Sequence, residues 1–140
     1  MPMPEKDAGK LVKGMHPSAS TEKYYFALVG EGQMMALAGY LQYVFCVCRE
    51  PEGLSAVVNE IGKDGIESIS LEKAQGPFSL VSVGVESDLM AVGFLAKITS
   101  ALAKEGISAN AVSAYKRDYL LVPYEKREQA LKALAKLSVK

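Results

Sequence analysis

The chain has 140 residues, 49% of them hydrophobic, and its 16 Lys and Arg are balanced by 16 Asp and Glu. That length buries one good core or two small ones, and a formal net charge of zero offers no electrostatic attraction for nucleic acid or an anionic membrane surface. No apolar run approaches the ~20 residues of a membrane span, and Met1-Pro2-Met3-Pro4-Glu5-Lys6-Asp7 is too polar for a secretory signal, so the expectation is a cytoplasmic protein with neither nucleic acid nor membrane as partner.

Lys6 to Met15 places Leu11, Val12 and Met15 at near-helical spacing, and His16-Pro17-Ser18-Ala19-Ser20 interrupts it, which predicts a short helix followed by a loop. Tyr24 to Val29 reads as a strand, Gln33 to Gly39 as a short helix rich in Met and Ala, and Tyr43 to Cys48 as a second strand. Arg49-Glu50-Pro51-Glu52-Gly53 turns the chain into Leu54 to Val58, completing a hairpin. Asn59 is placed to cap a helical turn through Lys63, and Glu67 to Leu71 alternates as a further strand. Gln75-Gly76-Pro77 breaks the pattern and divides the chain into halves 5–76 and 77–140.

The second half is marked at almost every boundary. Phe78 to Val85 is apolar and β-branched, as a strand covered on both faces requires. From Asp88 to Glu105, Ala91, Leu95, Ile98 and Leu102 share one helical face, with Ser87 as N-cap, Asp88 complementing the positive helix end and Gly106 as a left-handed stop. Ile107 to Tyr115 alternates, Lys116-Arg117-Asp118 makes a turn, and Tyr119 to Val122 resumes an apolar strand that Pro123 ends. Glu125 to Leu137 aligns Ala130, Leu134 and Leu137 as a last helix, so the order is βαββα. An internal echo, Gly62-Lys63-Asp64-Gly65-Ile66 against Ala103-Lys104-Glu105-Gly106-Ile107, suggests two helices that each stop at glycine and enter a strand at isoleucine.

Ingredients for catalysis are sparse. Cys46 and Cys48 stand at i and i+2 in an apolar strand and point to one face, which suits buried structural thiols better than a disulfide or a metal site. The single histidine, His16, lies in a loop. Glu50 and Glu52 share a Pro- and Gly-containing turn with Arg49, where carboxylates are solvated rather than tuned for proton transfer. No phosphate loop, nucleophile elbow or metal-ligand spacing is present. The expectation is a protein that is not an enzyme and carries neither metal nor cofactor.

The run Val85-Glu86-Ser87-Asp88-Leu89-Met90-Ala91-Val92-Gly93-Phe94-Leu95, followed by Leu102 to Asn110 and by Asp118-Tyr119-Leu120-Leu121-Val122-Pro123, resembles the core of an ACT domain. Arg49 to Val58 resembles the acidic-glycine hairpin of small stand-alone bacterial proteins built from two ACT-like halves. The resemblance implies an α+β, ferredoxin-like sandwich in which each half is a β-sheet covered by helices on one face. It also implies regulatory binding of an amino acid, often between two such domains. A homodimer is expected. The family's short glycine-containing turn between first strand and first helix is replaced here by Glu86-Ser87-Asp88.

The residues point to the same edge without that resemblance. The start of the Asp88 helix presents N–H groups that can hold a carboxylate, and Asp88 can accept from an ammonium group. Gly93 leaves the helix surface bare, and Asn110 offers both a donor and an acceptor. The expected ligand-binding set is Glu86, Ser87, Asp88, Met90, Ala91, Val92, Gly93 and Asn110, holding an amino acid where two ACT-like units meet. Each residue also has a plain explanation as cap, packing gap or edge-strand polar group. The competing function is a structural or interaction module that pairs through its sheet edge and takes no ligand.

Overall fold

The computed structural model describes residues 3–139 and groups them into two compact units. One unit joins the chain up to Thr21 with everything from Ser79 onward, and the other is Glu22 to Phe78. This division differs from the expected halves 5–76 and 77–140, because the first residues belong with the C-terminal part. The cause is apolar: α1 (Ala8–Lys13) buries Leu11 and Val12, and Met15 follows them, in the same core as the C-terminal helices.

In the C-terminal unit the start of β1 (Ser18–Val29) lies beside the end of β4 (Gln75–Ser82), where Ser79 donates its hydroxyl to the Ser20 carbonyl at 2.8 Å and Ser20 Oγ accepts from the Leu80 N–H at 2.9 Å. From there the order is β1-β4-β6-β5, with β5 (Asn110–Ser113) and β6 (Asp118–Pro123) forming an antiparallel hairpin that sets Asn110 against Leu121 and Ser113 against Asp118. Val81, Val83, Leu120 and Val122 face α4 (Phe94–Lys104) and α5 (Arg127–Ser138), which contribute Phe94, Ile98, Leu102, Ala130 and Leu134 to the core. Gly106 stops α4 in the left-handed region (φ 71°), as its position predicts.

The start of α4 differs from expectation by more than a turn. Helix begins at Phe94, not Asp88, and its N-cap is Gly93 (φ 91°) rather than Ser87. A residue in the left-handed region breaks helical progression, so the pattern read from Ala91 onward does not propagate back through Gly93.

In the N-terminal unit the remainder of β1 leads through a 3-10 turn (Glu31–Gln33) into α2 (Met34–Ala38), matching the expected short helix. A hairpin of β2 (Val44–Glu50) and β3 (Gly53–Asn59) follows, and the strand order is β2-β3-β1. Asn59 does cap the next turn, its Oδ1 accepting from the Gly62 N–H at 3.0 Å. Gly62 and Gly65 lie under the rings of Tyr43 and Tyr40, where a Cβ would collide with either ring. Gly65 thus stands inside α3 (Lys63–Glu67) and does not end it, so the echo with Gly106 is one of sequence only.

The strand expected over Glu67 to Leu71 is not formed. Glu67 closes α3, pairs with Lys63 at 3.5 Å and accepts from the Ala74 N–H at 2.7 Å, a bond that holds its carboxyl below the ordinary range. Only one bridge, Val29 with Ser70, remains of the ladder. Cys46 and Cys48 do share a face, opposite Val57 and Ser55, but Cys48 is exposed rather than buried; the half-buried Cys46 thiol is pushed up by desolvation.

Candidate functional site

Residues 83–93, between β4 and α4, form a braced loop. The Val83 carbonyl accepts from the His16 N–H at 3.0 Å, the Asp88 N–H donates to the Glu5 carbonyl at 2.9 Å, and the Ser87 N–H donates to the Lys116 carbonyl at 2.8 Å. Asp88 folds back so that its carboxylate accepts from the Met90 N–H at 2.8 Å. The first α4 ladder bond runs from the Lys97 N–H to the Gly93 carbonyl, and no side chain caps the helix. The N–H groups of Phe94, Leu95 and Ala96 are therefore left without intrahelical acceptors, at the positive end of the helix.

Beside that helix start lies a recess of about 130 Å³. Ser87, Asp88, Ser113 and Asp118 give it polar walls, and Phe94 and Leu95 are prominent among the apolar ones. Two of these polar residues are buried, Ser87 at 8% and Asp118 at 9% exposure. The hairpin cations turn elsewhere: Arg117 donates to Glu86 at 3.1 Å, and Lys116 lies 4.0 Å from the same carboxylate. Arg117 is held above its usual pKa, first by a hydrogen bond with Tyr119 and then by Glu86.

Of the expected set, the structure brings Ser87, Asp88 and Ala91 together at the recess. Gly93 defines the helix start beside it. Glu86 faces the hairpin cations, while Met90 and Val92 are 76% and 86% exposed. Asn110 is exposed and does not line the recess; it opens β5, whereas Ser113, which does line it, closes that strand. Ser113 and Asp118 were not singled out because a hairpin register is needed to set them opposite each other; Asp118 reads as a turn residue until that register is known. In the other unit Glu50 and Glu52 are exposed and Arg49 pairs with Glu31. No group of three or more His, Cys, Asp or Glu among the described residues is arranged to hold a metal ion, and none of their helices is long and apolar enough to cross a membrane.

The fold is an α+β one that known proteins share. The ACT-domain family matches residues 72–136. A Vibrio cholerae protein of unknown function, called a possible transport protein, is 33% identical and superposes with a TM-score of 0.75 over 93% of this chain and 94% of its own. The regulatory subunit of aspartate kinase from Thermus flavus shares the fold at 16% identity, with a TM-score of 0.63 over 86% of this chain and 95% of its own. Aspartokinase alpha and beta subunits do so at 17% identity, with a TM-score of 0.70 over 89% and 97%. No curated protein matches. The chain belongs to the ACT-domain family, whose domain it carries over residues 72–136.

Proposed function

We propose that this protein is a non-enzymatic, cytoplasmic regulatory module that binds an amino acid in the recess at the strand-to-helix turn around Ser87. The observation that carries the reading is the uncapped start of α4, opening on a recess walled by Ser87, Asp88, Ser113 and Asp118. Free N–H groups at a helix start favour a carboxylate, and acidic walls favour an ammonium group. The regulatory aspartate kinase subunit that shares this fold is consistent with such a role. A homodimer is part of the proposal: Leu89, Met90 and Val92, 65%, 76% and 86% exposed, form an apolar rim that a second copy of the chain would cover.

The test is a thermal-shift screen of the common amino acids. A ligand at a hundred times its dissociation constant adds about 2.7 kcal/mol and raises the melting point by several degrees. No shift with any amino acid at millimolar concentration contradicts the proposal.

A further inference from the structure

Resting on that amino-acid reading, we infer that Asp118 is the ammonium anchor of the recess, restricting it to small α-amino acids that keep a free ammonium group and carry no side-chain carboxylate. Asp118 is 9% exposed and lines the recess, yet its carboxylate has no hydrogen-bond or ion-pair partner among the described residues. No fully enclosed side-chain polar atom among those residues lacks a partner, so the Asp118 oxygens are not sealed in protein but open onto the void they border. A carboxylate that is mostly buried and opens onto a recess is a natural partner for a cation that enters it. The described residues bring none: no Lys, Arg or His among them lines the recess, and the nearby Arg117 and Lys116 are directed to Glu86.

The same recess offers the opposite charge preference at its other wall, where the first turn of α4 has no side-chain cap. One small void with an anionic side chain and a helix start matches a zwitterion better than a simple carboxylate or an inorganic anion. Its volume of about 130 Å³ is well below the ~300–1,000 Å³ of pockets for larger ligands, so the side chain must be short. Leu89, Ala91, Phe94, Leu95 and Ala114 complete the walls. They offer nothing to neutralise a second carboxylate beside Asp88 and Asp118.

The test is calorimetric titration of the full chain with L-alanine and L-serine, with propionate as the analogue lacking ammonium and L-aspartate as the acidic comparison. The wild type is expected to bind L-alanine or L-serine, with propionate and L-aspartate each at least roughly thirty-fold weaker; Asp118→Asn, nearly isosteric but uncharged, should lose a similar factor for L-alanine or L-serine. Equal affinity in Asp118→Asn, propionate as good as L-alanine, or binding confined to acidic or bulky amino acids overturns the inference and leaves the amino-acid reading standing. No binding of any common amino acid to the wild type overturns both. Should Asp118→Asn fail to fold, the propionate comparison on the wild type decides alone.

Discussion

The passage from strand to helix is built differently in the two units. In the C-terminal unit residues 83–93 are braced by Glu5, His16 and Lys116 before an eleven-residue helix starts uncapped at Phe94. In the N-terminal unit β1 passes through Gly30 and a 3-10 turn into a five-residue helix, α2, that buries only Leu37 and leaves Met34 and Met35 45% and 86% exposed. A helix that short has barely a turn of aligned peptide dipoles, and no hairpin end brings a buried acid beside it. The same grammar therefore gives a recess bordered by a buried acid where a long helix, a braced loop and a hairpin end coincide.

Core truncation in each unit breaks the comparison most strongly. Phe94→Ala, at a side chain 2% exposed, is expected to cost about 3–5 kcal/mol in urea unfolding and to abolish ligand stabilisation. Leu37→Ala, in the short helix, should cost only about 2 kcal/mol, the low end for its type, and leave amino-acid binding unchanged. Binding lost in both variants would mean that the site is not confined to the C-terminal unit.

Two glycines sharpen the comparison with a smaller effect. Gly93 and Gly106 sit at the two ends of α4 with φ of 91° and 71°. An added Cβ would only touch the Ala8 methyl at 4.0 Å in the first case and nothing in the second. Gly93→Ala and Gly106→Ala should each cost about 1–2 kcal/mol through the left-handed backbone alone. Titration with L-alanine should then separate them, with affinity falling for Gly93→Ala and unchanged for Gly106→Ala.

How much of this was legible in the sequence follows from the range of the forces involved. The hairpins, the helix stop at Gly106 and the capping by Asn59 depend on local turn chemistry and periodicity, and each was readable from residues within a few positions. The start of α4 misled because Ala91 continues the apolar period of Leu95, Ile98 and Leu102, while Gly93, whose conformation stops it, carries no side chain to mark the break. The strand expected over Glu67 to Leu71 failed through Glu67, whose contacts with Lys63 and Ala74 favour a helix end. At the site, Ser87 and Asp88 were readable as polar residues at a helix approach. Asp118 was hidden because its burial depends on β6 lying beside β4 and on Ser113 facing it across the hairpin, and Asn110 was misplaced for the same reason of register.

The central claim is that an amino acid occupies the corner formed by Ser87, the first turn of α4 and Asp118. Amide proton–nitrogen NMR spectra recorded during titration with L-alanine or L-serine test it most directly. The account predicts saturable shifts concentrated at Ser87, Asp88, Phe94, Leu95, Ser113 and Asp118, with the amides of α2 and of the Arg49–Gly53 turn unmoved. Shifts that are absent, or that cluster in the N-terminal unit instead, would contradict it.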